Sequence, residues 1–160
     1  MRAHRYALRR TARASYILPP SETSARWARH LTAAYLTRGC GQRVSADQVD
    51  DARLVVSELV TNATRHGRGN CRLRLSVDRG RVTVEVHDHS PRLPCLCATG
   101  AAASDDATGA PGAAAPGTSG DVGALREGGR GIAMVRELSR RFSVLGAPGG
   151  GKTVQAVLAC

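Results

Sequence analysis

Between Ser45 and Asp88 the hydrophobic repeat changes from three-and-four to two, and this switch constrains the fold more than any other feature of the chain. Val49, Ala52, Val56, Leu59 and Ala63 recur at helical spacing, which predicts an amphipathic helix. Ser45 or Asp47 opens it as an N-cap, and Gly67 and Gly69 close it. CRLRLSV (71–77) and RVTVEVHD (81–88) then alternate, with DRG between them as a turn. That pattern predicts a β-hairpin.

The flanks are read in the same way. ASYIL (14–18) is a short strand stopped by Pro19 and Pro20. Ser21 is the expected N-cap of a helix over 22–37, with Ser24 as a competitor, and Trp27, Leu31, Ala34 and Tyr35 form its apolar side. Gly39 and Gly41 end it. Gly128–Gly131 precede a third helix, roughly 131–141, with Ile132, Val135 and Leu138 inward. FSVL (142–145) and TVQAVLA (153–159) are two closing strands. From Ser90 to Gly123 the chain is rich in Gly, Ala, Pro, Ser, Thr and Asp. Such a segment cannot offset its ordering entropy by burial. It is expected to be a mobile loop, a lid over about 92–127.

At 160 residues the size is that of one domain. Aromatic residues are only 3% against 42% hydrophobic, so the core must be built from Leu, Val, Ala and Ile. The net charge is +10, carried almost wholly by arginine, Lys152 being the only lysine. Arg2, Arg5, Arg9, Arg10 and Arg13 all precede the first acidic residue, Glu22. Residues 1–13 therefore read as a disordered basic arm and 14–160 as the domain. The charge would permit nucleic acid or an acidic protein as partner. No helix-turn-helix or basic zipper accompanies it, so direct nucleic-acid binding is not expected. No stretch approaches the ~20 apolar residues of a membrane span, and no signal peptide is read. Five scattered cysteines, Cys40, Cys71, Cys95, Cys97 and Cys160, argue against a disulfide framework and for a reducing cytoplasm.

GAPGGGKT (146–153) fits the phosphate-loop pattern G-x-x-x-x-G-K-[ST] without a mismatch. A working phosphate loop needs a helix behind it, whose N-terminal N–H groups meet the phosphates. The residues after Lys152 alternate as a strand instead. The glycine-rich stretch is expected to be a hairpin turn.

Chemistry concentrates elsewhere. Glu58, Asn62 and His66 stand at i, i+4 and i+8 of the second helix, forming one slanting polar stripe. A solvated helix face would look the same. Asp88 ends a strand otherwise built of Val82, Val84 and Val86, where a carboxylate can accept from an exocyclic amine or simply end a strand. Gly129 and Gly131 stand where a helix N-terminus could offer bare N–H groups to phosphate, or where a hinge could close the loop.

Together these motifs run E-x-x-x-N-x-x-x-H, D-x-S-x-x-x-P, a variable loop, G-G-R-G-I and G-K-T-V. In that order they resemble the GHKL ATPase superfamily, and more narrowly its small bacterial members related to anti-sigma factors and serine-protein kinases. The resemblance runs from about Ser15 to Leu158. It implies the Bergerat fold: an α+β two-layer sandwich, with a mixed, mostly antiparallel sheet covered by helices on one face. It implies ATP and Mg²⁺ as cofactors, Asn62 as the magnesium ligand and Glu58 as the catalytic base. Asp88 would hold the adenine amine, and Gly129 and Gly131 would line the phosphates. Thr153 would lie on the sheet floor near the adenine, and His66 would extend the nucleotide-binding stripe. The implied partners are a sigma factor and an anti-sigma-factor antagonist phosphorylated on serine or threonine; a homodimer is one arrangement open to such a chain. The chain departs from the group in its long lid and in Gln155, where a Trp is frequent.

Two other functions compete. A binding module could regulate by contact alone, with or without ATP. His66, His87, His89, Cys95 and Cys97 could hold zinc, although H-x-H and C-x-C lack the usual ligand spacing. A dimerising histidine kinase would need a helix pair with its phospho-accepting His, which the sequence lacks.

Overall fold

A computed structural model of the chain describes residues 11–90 and 124–158. Most of the basic arm, nearly all of the lid segment, and Cys95 and Cys97 lie outside them. The order is β1 (Ala12–Leu18), α1 (Ser24–Ala34) running into a π-helical turn (Tyr35–Gly39), and α2 (Ala46–His66). Then follow β2 (Cys71–Asp78), β3 (Arg81–Asp88), α3 (Ala124–Leu138), β4 (Ser139–Gly146) and β5 (Lys152–Leu158). The strands form one sheet in the order β1-β2-β3-β5-β4. Helices cover one face, so the two-layer α+β sandwich stands. The implied mixed sheet does not: every pairing among the described residues is antiparallel. The cause is the return of β5 from edge strand β4 through a tight loop, which slots it between β4 and β3 against the direction of both.

The periodic switch of the sequence is realised closely. Ser45 caps α2 by accepting from Gln48 N–H, while the Gln48 side chain accepts from Ser45 N–H, a reciprocal capping box. All five periodic residues of α2 are buried. The β2–β3 hairpin turns on Arg79 and Gly80, both at positive φ (52° and 77°), the signature of a type I′ turn. Its apolar face (Leu73, Leu75, Val77, Val82, Val84, Val86) is buried beneath the helices. The sequence GAPGGGKT is a hairpin: Gly146 pairs with Lys152 across the β4–β5 loop, and a strand, not a helix, follows it.

Both flanking helices depart from expectation. Trp27 is 62% exposed and Ala34 is exposed, whereas Ser24, Ala28 and Thr32 are buried. α1 therefore packs on α2 through small side chains at four-residue spacing, which let two helices approach closely; hydropathy alone favoured the larger Trp27. The N-cap position is Thr23 rather than Ser21, with no side-chain cap bond, and Ser24 instead donates to the Pro19 carbonyl at 2.7 Å.

The third helix begins at Ala124, so Gly129 and Gly131 lie inside it and not at its N-terminus. Each interior glycine costs only ~1 kcal/mol, which burial of Ile132 and Val135 outweighs. The helix ends at Leu138, and Ser139–Arg141, expected within it, already belong to β4. The exposure of Trp27, the only tryptophan, has a direct consequence. Its fluorescence should be quenched by iodide in the native protein nearly as well as in urea. Strong protection in the native state would mean that the outer face of α1 is covered.

Candidate functional site

α2 positions the first half of the site. Glu58, Asn62 and His66 follow one another along it, a rise of ~12 Å from first to last. Glu58 and Asn62 are half-buried and His66 is exposed at the helix end. Among the described residues none of the three side chains makes a hydrogen bond or ion pair. A half-buried carboxylate and amide without protein partners are suited to a ligand. Glu58 lies against α3 at Gly131, where a Cβ would collide with its Oε2. The absent side chain at Gly131 is what admits the carboxylate. Gly131, inside α3 and not at its N-terminus, thus gives clearance to a side chain and does not offer a helix-terminal N–H.

β3 and β5 position the second half. Asp88 is 3% exposed, on the helix-covered face. Its Oδ1 accepts from Ser90 N–H at 2.7 Å and from the Lys152 ammonium at 2.9 Å. No partner for Oδ2 is found among the described residues. The Cβ of Asp88 faces Gly67, the C-cap of α2, so the carboxylate sits at the His66 end of the stripe and Gly131 at the Glu58 end. Thr153 is not beside it. Asp88 pairs with Lys152 and His87 with Thr153, so Thr153 projects to the opposite face, where its Oγ1 meets His87 Nδ1 at 3.2 Å. The alternation of side chains across a strand gives the place beside Asp88 to Lys152. Sequence reasoning did not place Lys152 beside Asp88, although its parity with Val154, Ala156 and Leu158 was visible in the sequence.

The zinc alternative finds no support among the described residues. His87 and His89 form an edge-to-face ring pair with centroids 5.3 Å apart, and no group of three or more metal-ligating side chains occurs there. No helix among the described residues is long and apolar enough to cross a membrane.

Burial, and secondarily the Asp88 charge, push the Cys71 thiol from 9.0 up to about 11. In the unfolded chain the thiol ionises near pH 9; in the native protein it stays protonated until about pH 11. Between these values the native state binds more protons, so stability falls as pH rises. The urea midpoint should drop more between pH 8 and 10.5 in wild type than in Cys71→Ala. Equal drops would show that this thiol does not contribute.

The histidine kinase-like ATPase domain family matches residues 18–158, and the chain belongs to it. No curated protein matches the chain. Membership in this family supports ATP binding and a GHKL-type regulatory role.

Proposed function

We propose that this histidine kinase-like ATPase domain phosphorylates a serine or threonine of a small protein antagonist, and binds a sigma factor in alternation with it. The observation that carries the proposal is Glu58. It is half-buried and free of protein partners among the described residues, one helical turn from Asn62, and seated against a glycine. A domain that only binds nucleotide needs no base there.

The residues present fit ATP and Mg²⁺. Asp88 Oδ2 is positioned to accept from a base amine. Asn62 offers a hard amide oxygen of the kind magnesium takes beside phosphates and water. Asp88 faces Gly67 at the C-terminal end of α2, and Glu58 lies more than two helical turns before it, about 13 Å of rise, a span that suits a nucleoside triphosphate lying against the helix. Bound ATP would supply the transferable phosphoryl group. Glu58 would accept the proton of the attacking hydroxyl, a role that requires the carboxylate to remain unpaired until the acceptor arrives. Gly131 would hold clearance for that carboxylate. His66, exposed at the helix end, takes no assigned step.

The test is incubation of the full chain with γ-labelled ATP and an antagonist protein captured from native lysate. Label on a serine or threonine of the antagonist is the expected result. A stable, ATP-loaded complex that never transfers label would instead identify a regulator acting by contact.

A further inference from the structure

We infer that Lys152 reads the base of the bound nucleotide, as a hydrogen-bond donor beside the acceptor Asp88. The inference rests on the ATP-site reading above and concerns the same end of that site.

Lys152 is the only lysine in the sequence and is buried, at 5% exposure. Its ammonium carries three donors. Among the described residues it makes one hydrogen bond, to Asp88 Oδ1. Asp88 in turn receives both of its bonds on Oδ1. At one point of the sheet, then, a buried lysine keeps unspent donors beside a carboxylate whose second oxygen, Oδ2, has no partner among the described residues and is not sealed from solvent. Burying charge with so few hydrogen bonds is costly, and a ligand that completes both groups recovers part of that cost.

The complementary ligand edge has an N–H donor next to an acceptor nitrogen. The Watson–Crick edge of adenine is such an edge: its exocyclic amine would donate to Asp88 Oδ2, and its ring N1 would accept from Lys152 Nζ. The bare carboxylate would read only the amine. With the lysine beside it the site reads two adjacent atoms of opposite polarity, and a base lacking the second is disfavoured. This also gives the lysine of the GKT triplet a function remote from phosphate. The register of β5 against β3 places it at the Asp88 end of α2, not at the Glu58 end.

The experiment compares ATP with 1-deaza-ATP, which keeps the amine and replaces N1 by C–H, by calorimetry on the full-length wild-type chain. Loss of one hydrogen bond to a charged donor should weaken the analogue ~10–100-fold. In Lys152→Met, checked for folding by circular dichroism, the two nucleotides should bind within about twofold of each other, both more weakly than ATP binds wild type. Equal binding of ATP and 1-deaza-ATP to wild type would overturn the inference while leaving the ATP site standing. Tighter ATP binding by Lys152→Met would also overturn it, showing the lysine to be a plug on Asp88. Failure of wild type to bind ATP at all would overturn the site reading and this inference with it. The wild-type comparison stands even if the variant does not fold.

Discussion

A Glu58→Gln protein is expected to transfer phosphate to its protein acceptor ~10²–10⁴-fold more slowly than wild type, the range for loss of a general base. Its affinity for Mg·ATP should stay within about threefold, because glutamine keeps the length and the hydrogen-bonding oxygen while giving up proton acceptance. The fold should be indifferent to the change, since no described residue depends on this carboxylate for a hydrogen bond. Gly131→Ala provides the complementary variant. Its added Cβ would meet Glu58 Oε2, so the flexible side chain must swing away and transfer should fall while Glu58 remains present. The measurement is a single-turnover phosphotransfer assay with wild type and both variants side by side. Equal rates for wild type and Glu58→Gln would remove the base role and leave Glu58 as a polar wall of the site.

Removal of Lys152 should cause the largest loss of stability among single changes near the site. In Lys152→Ala the Asp88 carboxylate would keep only the Ser90 N–H and would be buried without a counter-ion. Breaking a buried pair from one side costs ~3–5 kcal/mol. Arg74→Ala is the natural control. Its partner Glu85 lies at 3.5 Å, with the arginine side chain half exposed, and exposed pairs contribute ~0–1 kcal/mol. Urea unfolding of the two variants should differ by that margin. If Lys152→Ala also cost less than about 1 kcal/mol, water or a rearranged backbone would have to be satisfying Asp88. The double variant Lys152→Met with Asp88→Leu should recover most of the loss, because it removes both charges and leaves packing volume.

What the sequence disclosed was local. The α2 stripe and the β2–β3 hairpin declared themselves through period and turn chemistry, because one buried face dictates every third, fourth or second residue along a continuous stretch. The same reasoning removed the phosphate loop: alternation after Lys152 meant a strand, and a strand cannot aim helix N–H groups at phosphate.

The errors arose where a distant surface decides. Trp27 was taken inward on hydropathy, but α1 meets α2 through Ser24, Ala28 and Thr32, and only the partner helix makes small side chains the better choice. The start of α3 was misplaced because glycines were read as a boundary. Their real constraint at Gly131 is the Glu58 carboxylate on another helix. Thr153 was expected on the sheet floor near the adenine that Asp88 would hold, but it lies on the face opposite Asp88. The pairing Asp88 to Lys152 settles which face each residue takes, and pairing across a sheet is not written in either strand alone. The order of motifs nevertheless identified the family, because spacing along the chain survives such local misplacements.

We propose that nucleotide lies along α2 and not in the glycine loop that imitates a phosphate-binding sequence. Calorimetric titration of Mg·ATP into wild type, Asn62→Ala and Gly149→Ala tests it most directly. Asn62 is half-buried and unpartnered among the described residues. Gly149 has open space around it and a φ of 90°, so alanine there strains the loop by only ~1–2 kcal/mol and leaves the rest of the fold untouched. Gly149→Ala should bind Mg·ATP as wild type does, while Asn62→Ala should bind at least tenfold more weakly. Loss of binding in Gly149→Ala with Asn62→Ala unaffected would contradict that placement.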